Sequence, residues 1–195
     1  MVGGGGQGIH AGVTLVAPRT GPDTEDVSMK DIDQIRNLIF EYYHLMDLGD
    51  YAGVAALYGT EGVMRGLDWD GTEMNAWTGK DEILGLWTAL VRTYDGIPKT
   101  KHCITNLVVD VDEDAGTAEG RSYYMVYQAT DDFPLQVITA GRWYDTLMRD
   151  DGRWRFVERK CFSDLVGDFR AHLRPEALQE WWEEGAEAAE AAASA

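Results

Sequence analysis

An acidic residue, Asp47, lies within the apolar turn Leu45-Met46-Asp47-Leu48. Burying a carboxylate there is unfavourable unless a partner compensates, because it lies among apolar side chains at the negative end of a predicted helix. A histidine is a natural partner, since a buried Asp–His pair orients the imidazole and tunes its pKa for general acid–base chemistry. The chain has four histidines, His10, His44, His102 and His172, of which His102 opens the first long strand-like segment.

Both residues also have ordinary structural interpretations. Asp47-Leu48-Gly49-Asp50 is a typical helix end and turn in which Asp50 caps the next helix. A single histidine on a strand is more often a core residue than a catalytic one. Nothing in the spacing links the two positions, so the residue types alone leave the catalytic and the structural interpretation open.

Several other kinds of site have no support in the sequence. The chain has no His-x-x-x-His or Cys-x-x-Cys pattern, so no metal site is predicted. The glycines at 3–6 lack the following Lys-Ser/Thr of a phosphate-binding loop. The Gly-x-Ser-x-Gly pattern that is typical of serine hydrolases is also absent.

The composition excludes two classes of partner. The chain has 195 residues with 17 basic and 34 acidic side chains, a formal net charge of −17, of which the segments 1–28 and 173–195 carry −7. Affinity for nucleic acid and for anionic membranes depends on Lys and Arg, so we expect neither partner. Two cysteines form no disulfide framework, and no signal peptide or membrane span is evident, so we predict a cytoplasmic location.

The hydrophobic pattern predicts three helices followed by strands. The glycine-rich segment 1–28 is predicted to be a flexible leader, 29–172 the domain, and 173–195 a C-terminal helix with an acidic Ala/Glu tail. Apolar residues recur at helical spacing after Ser28, after Asp50 and after Gly79, and a short strand is predicted at 61–65. Four long strand-like runs follow at about 100–111, 117–129, 135–149 and 153–164. This order predicts an α+β fold with helices on one face of a curved antiparallel sheet.

Strand alternation predicts which side chains share a face with His102. On its own strand these are Ile104, Asn106 and Val108. On the next two strands, Tyr123, Met125 and Tyr127 share one face, and Val137, Thr139, Gly141 and Trp143 share another. The prediction is therefore a face that is unusually aromatic and polar, although Trp and Tyr residues are more often core than ligand contacts.

Five short stretches, taken in order, resemble the SnoaL-like group of the NTF2-like superfamily, which includes scytalone dehydratase and polyketide cyclase-like proteins. In that group an aromatic residue precedes an aspartate by five positions, and Gly-Asp opens the next helix, as Tyr42, Asp47 and Gly49–Asp50 do here. The other matching segments are Gly79–Ile83, the Thr-x-His-x-x-x-Asn strand Thr100–Asn106, and the final hairpin segments Gly141–Asp145 and Asp151–Trp154.

The resemblance implies a cone, in which the curved sheet wraps around a pocket that three N-terminal helices close. It also implies a lyase, isomerase or cyclase that needs no cofactor, with Asp47 and His102 as the catalytic pair. Tyr42, Tyr127 and Tyr43 are candidates to polarise a substrate oxygen. The expected substrate is a hydrophobic, polycyclic or aromatic small molecule of polyketide, steroid or terpenoid type. The predicted substrate-binding residues are Tyr42, Tyr43, Tyr58, Trp87, Met125, Tyr127 and Trp143.

The resemblance has departures that leave the substrate open. Met46 stands where scytalone dehydratase has a tyrosine, and Tyr127 and Trp143 fall near its second pocket histidine and its pocket asparagine. The superfamily also contains non-catalytic binding or assembly subunits, such as oxygenase small subunits, in which the Asp–His pair would be a buried polar pair. A third alternative, epoxide hydrolysis, would use Asn106 and Arg121 around a water molecule.

Two expectations concern assembly. A homodimer or homotrimer is predicted, because the group commonly pairs through its sheet and Tyr124 and Tyr144 would otherwise be exposed on the convex face. The segment 169–182 is predicted to close the mouth of the pocket, as a lid does in related dehydratases.

Overall fold

The fold is α+β, as the sequence predicts, and the described residues form three helices and one six-stranded sheet. The structure is a computed structural model that describes residues 30–177. The predicted leader 1–28 and all of the C-terminal tail after residue 177, including Trp181 and Trp182, lie outside the described residues. The elements are α1 (Asp31–Leu48), α2 (Tyr51–Ala56), β1 (Tyr58–Leu67), β2 (Glu73–Thr78), α3 (Gly79–Leu90), β3 (Thr100–Asp112), β4 (Thr117–Thr130), β5 (Phe133–Asp150) and β6 (Arg153–Val166).

Helix α1 ends where the sequence predicts. Gly49 adopts the left-handed conformation, with φ of 75°, and its N–H bonds to carbonyls of the last helical turn. Asp50 then caps α2 by accepting a hydrogen bond from the N–H of Gly53 at 2.8 Å. The buried face of α1, which includes Ile35 and Ile39, packs mainly on β3. The position of Asp47 relative to the sheet is therefore set by the docking of α1.

The sheet has the strand order β2-β1-β6-β5-β4-β3. Neighbouring strands are antiparallel except β1 and β6, which run parallel, and this pair departs from the all-antiparallel prediction. Strand β2 occupies a segment for which the sequence predicts no strand. Irregular registers interrupt the β3–β4, β4–β5 and β5–β6 ladders. Such bulges increase the local twist, so they contribute to the curvature of the open sheet around the helices.

One bulge changes the predicted faces of β3. Asn106 has a φ of 54°, and the register shifts between Thr105 and Val108. Asn106 and Val108 are therefore exposed, while Leu107 packs against the core. The prediction that Asn106 and Val108 share the face of His102 is wrong, because one extra residue reverses the alternation.

Tyr124 also lies on a different face from the one predicted. Its side chain is buried and packs on Trp143, with ring centroids 5.8 Å apart, on the inner face of the sheet. The ring sits over Gly141, where a Cβ atom would come within 2.8 Å of it. Tyr144 is 44% exposed, as the prediction of an exposed tyrosine on the convex face requires.

Candidate active site

Asp47 and His102 meet where the end of α1 lies against the start of β3. The Nδ1 atom of His102 is 2.7 Å from Oδ1 of Asp47. Oδ1 also accepts a hydrogen bond from the Thr100 hydroxyl at 2.8 Å, and Oδ2 accepts one from the backbone N–H of His102 at 3.1 Å. Both side chains are only 11% exposed. The carboxylate is thus fixed by three hydrogen bonds, and these in turn fix the imidazole.

The pKa of Asp47 determines the direction of the Asp–His hydrogen bond. Burial acts to raise the pKa of this carboxyl, but the hydrogen bonds and charge interaction with His102, together with Thr100, hold it below its ordinary value. Asp47 is therefore ionised at neutral pH and acts only as an acceptor. The neutral imidazole consequently carries its proton on Nδ1, which leaves the lone pair of Nε2 to act as a base.

A cavity of about 260 Å³ adjoins the pair, and Asp47 and His102 are part of its wall. The rest of the wall comes from Phe40, Tyr43 and His44 of α1 and from Ile104 of β3. The exposed side chain of Lys101 places its Nζ 3.9 Å from Oδ2 of Asp47. The arrangement joins an oriented base to a partly apolar cavity, which suits proton transfer to and from a hydrophobic small molecule.

Of the seven predicted substrate-binding residues, the structure brings Tyr43 to the pair. The Tyr43 ring centroid is 5.6 Å from that of His102, and its side chain lines the cavity. Tyr42, Tyr58 and Trp143 are buried in an aromatic cluster behind it, and Trp87 contacts this cluster with its ring centroid 6.5 Å from that of Tyr42. These four residues are core residues that support the site from behind.

Met125 and Tyr127 are not brought to the pair. In the β3–β4 ladder His102 is paired with Val126, whose buried side chain shares the inner face. Met125 and Tyr127 flank Val126 along the strand, so their side chains point to the other face of the sheet. Met125 and Tyr127 therefore do not line the site beside the Asp47–His102 pair.

Several residues near the pair were not singled out by the sequence. Thr100 belongs to the Thr-x-His-x-x-x-Asn strand but receives no role from the sequence, and no pattern marks His44. Arg159 lies in a strand whose charges suggest a solvated face. Arg159 is fully buried and pairs with Asp145, with its Nε 2.8 Å from Oδ1 of Asp145. Arg159 lies three positions after the inward-facing Phe156, so strict alternation would place its side chain in solvent. Only the bulge in β6, which the sequence does not reveal, brings the side chain into the core.

His172 is a second histidine close to the pair. The segment that carries it follows β6 and is held by two hydrogen bonds to the Ala171 carbonyl, from the Gln128 side chain at 3.0 Å and from the Tyr94 hydroxyl at 2.7 Å. Burial, together with the nearby charge of His102, lowers the pKa of His172 to about 4, and Asp47 partly offsets this lowering. His172 is thus a neutral imidazole at physiological pH. The predicted lid role of 169–182 stays a prediction.

This buried histidine predicts an acid sensitivity of the fold. A folded-state pKa of about 4 lies below the ordinary value of 6.5, so the unfolded chain binds the proton more readily. Stability is therefore fully present above about pH 6.5 and declines as the pH falls toward 4, by about 3 kcal/mol from this group. Urea unfolding across this pH range should show the decline in the wild type and a much smaller one in His172→Leu.

The exposed His44 supplies the control, because His44→Gln should retain the decline of the wild type. A decline of equal size in His172→Leu would show that other groups cause it. The pKa of Asp47 lies below its ordinary value of 3.8, so the stability that this carboxylate contributes is lost only when the pH falls below that value. The decline that begins near pH 6.5 therefore does not come from Asp47.

No cluster of three or more His, Cys, Asp or Glu side chains that could hold a metal ion occurs within residues 30–177. In the same part of the chain, no helix is both long enough and apolar enough to cross a membrane.

Comparison with known proteins identifies the family. The family model of the SnoaL-like domain matches residues 27–160, and the chain belongs to this family. Among curated proteins, none matches the chain in sequence.

Similar solved structures share the fold. Rv3472(D26N), a Mycobacterium tuberculosis protein of unknown function, superposes with a TM-score of 0.56 at 25% identity, over 68% of this chain and 71% of that chain. A Novosphingobium aromaticivorans protein assigned as a scytalone dehydratase gives 0.57 at 20% identity, over 71% and 87%. A protein of the same organism assigned as the β subunit of an aromatic-ring-hydroxylating dioxygenase gives 0.57 at 16% identity, over 72% and 94%.

Proposed function

We propose that this protein is a cofactor-independent acid–base enzyme that removes an acidic proton from a hydrophobic small molecule, as a lyase, isomerase or cyclase. The observation that carries the proposal is the 2.7 Å contact between His102 Nδ1 and Asp47 Oδ1 in the wall of a cavity. An ionised Asp47 holds the tautomer in which Nε2 is a base, and it stabilises the imidazolium that forms. Membership of the SnoaL-like family supports the same chemistry.

The simplest reaction of this kind is loss of water from a β-hydroxy ketone. Nε2 of His102 takes the proton from the carbon next to the carbonyl, and the C–H electron pair forms an enolate. The enolate then re-forms the carbonyl as the C–O bond to the β-hydroxyl breaks, and the imidazolium gives its proton to the departing oxygen. The products are an enone and water, and His102 returns to its neutral form. Return of the proton to a different carbon would give an isomerase instead.

The wall of the cavity is mixed in character. Phe40, Ile104 and the ring of Tyr43 supply apolar surface, while Asp47, His102 and His44 supply polar groups. A site of this composition suits a small molecule with an apolar skeleton whose polar groups face Asp47, His102 and His44. A cavity of about 260 Å³ matches a small cyclic compound rather than a polymer.

The test is proton exchange in heavy water. A panel of cyclic ketones and β-hydroxy ketones is incubated with the protein, and deuterium incorporation and water loss are followed by NMR and mass spectrometry. We expect the wild type to label or dehydrate a subset of the panel and His102→Gln to lose this activity. Lys101→Gln, which changes a side chain that is 77% exposed, serves as the control.

The alternative, a non-catalytic assembly subunit, predicts a different outcome. Compounds of the panel would then bind without exchange, and the wild type and His102→Gln would not differ. Full exchange by His102→Gln would also contradict the proposal, because the proton would then be removed by another group.

A further inference from the structure

The cavity beside the Asp47–His102 pair has a buried end and an open end. At the buried end, the side chains of Asp47 and His102 are only 11% exposed, and Tyr43 is buried. At the open end lie Phe40, which is 48% exposed, and His44, which is also exposed. All five residues line the cavity. His44 is thus a second imidazole of the cavity wall, separate from the one that Asp47 holds.

The helix α1 places His44 at the cavity. Residues three or four positions apart lie on the same side of a helix, so His44 lies one turn from Asp47 and one turn from Phe40. The same side of α1 packs against β3, which carries His102. The docking that brings Asp47 to His102 therefore also brings His44 to the open end of the same cavity.

The hydroxyl of Tyr43 is engaged on the core side. Its oxygen accepts a hydrogen bond from Nη2 of the fully buried Arg159 at 3.1 Å. The guanidinium carbon lies 4.1 Å from the centroid of the Tyr42 ring and 4.3 Å from that of Trp143, so this hydrogen bond is made inside the aromatic cluster. Tyr43 therefore gives the cavity its ring, and its hydroxyl group belongs to the core.

The Asp47–His102 pair has no spare proton for a bound molecule. Asp47 is ionised, because its pKa lies below the ordinary value, and Nδ1 of His102 gives its proton to this carboxylate. Nε2 of His102 is the base. Within residues 30–177, no hydrogen bond or ion pair engages the imidazole of His44. His44 is therefore the side chain of the cavity wall that is left to supply a proton.

The proposed dehydration needs a proton donor as well as a base. His102 can return its own proton only to an oxygen that departs close to Nε2, and a hydroxyl at the open end of the cavity departs away from this atom. Imidazole is the side chain suited to giving up a proton near neutral pH. An exposed imidazole also recovers its proton directly from water.

We infer that His44 is a further catalytic residue, the general acid that protonates a hydroxyl group departing at the open end. The inference rests on the proposed function for the base. His102 takes the proton from the carbon next to the carbonyl, and the C–H electron pair forms an enolate. The enolate re-forms the carbonyl as the C–O bond breaks, and the imidazolium of His44 gives its proton to the departing oxygen. The products are an enone and water, and solvent then takes a proton from His102 and returns one to His44.

The inference adds a feature of the substrate, which is the position of its hydroxyl group. The acidic C–H lies at the buried end beside His102, and the β-hydroxyl lies at the open end beside His44. The water that forms is then released directly into solvent. A ligand of this kind presents its apolar skeleton to Phe40 and Ile104, which line the same cavity.

The test compares three reactions that differ in their need for an acid. Exchange of the acidic hydrogens of cyclohexanone in heavy water needs only the base. Loss of water from 3-hydroxycyclohexanone needs the base and an acid, because hydroxide is a poor leaving group. Loss of chloride from 3-chlorocyclohexanone needs the base but no acid, because chloride departs without a proton. NMR follows all three rates.

His44→Gln should slow the loss of water by about 10²-fold, which is the usual contribution of a positioned general acid. Exchange and the loss of chloride should fall far less, since neither uses the proton of His44. Glu41→Gln is the matched control, because Glu41 is also exposed on α1 but is not part of the cavity wall. It should behave as the wild type in all three reactions.

A second measurement does not depend on turnover. In His102→Gln the base is absent, so 3-hydroxycyclohexanone stays intact while it is bound. With isotope-labelled histidine, this compound should shift the NMR signals of the His44 imidazole, and cyclohexanone, which has no hydroxyl group, should shift them much less. The spectrum of His44→Gln identifies which signals belong to His44.

Several outcomes would overturn the inference. Unchanged loss of water in His44→Gln would remove the acid role, and so would equal slowing of all three reactions, because His44 would then only shape the cavity. Absence of exchange and elimination in the wild type would contradict the proposed function, and the NMR shifts would then judge His44 alone. No shift with 3-hydroxycyclohexanone would overturn its contact with the hydroxyl group, and a shift specific to this compound would support it.

Discussion

Asp47→Asn should lower kcat/KM for an exchanging substrate by about 10²–10⁴-fold, as much as His102→Gln does. The reason lies in the three hydrogen bonds that Asp47 accepts. The backbone N–H of His102 can only donate, so the amide oxygen of the introduced asparagine must take the place of Oδ2. The amide NH₂ then takes the place of Oδ1 and donates to Nδ1 of His102. This forces the imidazole proton onto Nε2, and the nitrogen that should act as the base no longer has a free lone pair.

The double variant provides the sharper measurement. If Asp47 acts through His102, then Asp47→Asn combined with His102→Gln should be little slower than either single variant, because residues that act as a unit are not additive. Lys101→Gln should change the rate only slightly, since its contact with Asp47 is 3.9 Å long and well exposed. Independent, multiplying losses would mean that Asp47 and His102 have separate roles.

Arg159→Met should destabilise the fold by about 3–5 kcal/mol, because it leaves Asp145 as an unpaired carboxylate that is only 2% exposed. Burial already raises the pKa of Asp145 while Arg159 lowers it, so removal of Arg159 should raise this pKa further. A protonated Asp145 is tolerated better in an apolar surrounding. The loss should therefore be larger at pH 7 than at pH 4.5, as measured by urea unfolding.

The matched control is Arg65→Met. Arg65 pairs with Glu73 and Glu158 at 2.6 Å, but its side chain is 29% exposed, so its loss should cost less than about 1 kcal/mol. Arg159→Met combined with Asp145→Leu should recover most of the stability, because no unpaired charge remains. A double variant as unstable as the single one would show that the aromatic contacts of Arg159, rather than the orphaned carboxylate, account for the loss.

The elements were largely predictable from the sequence because their signals are local. The α1 end at Gly49, the cap at Asp50 and the turn before β6 each depend on a few neighbouring residues, and the fold class follows from their order. The contact between Asp47 and His102 is different, since nothing in a spacing of 55 positions encodes it. Resemblance to a family suggested the pair, and the structure shows the two side chains in contact.

The errors in β3 and β6 arise at bulges, where one inserted residue reverses every face that follows. In β6, Trp154 and Phe156 face inward, so strict alternation would turn Glu158 inward and Arg159 outward. The register shift opposite Thr146 and Leu147 brings Arg159 to the inner face instead. The bulge at Asn106 has the same effect in β3. No residue type marks either position, because a bulge is fixed by the pairing of distant strands.

The hydrogen bonds of Asp47 have a consequence for how the protein can change. They join the last turn of α1 to two positions of β3, the hydroxyl of Thr100 and the backbone of His102. The proposed catalytic aspartate thus also holds α1 against the sheet. Active-site residues commonly reduce the stability of the fold, so selection for stability alone favours variants that have lost them. Here the two demands coincide, so chains selected for thermal resistance alone should retain Asp47 and with it the orientation of His102.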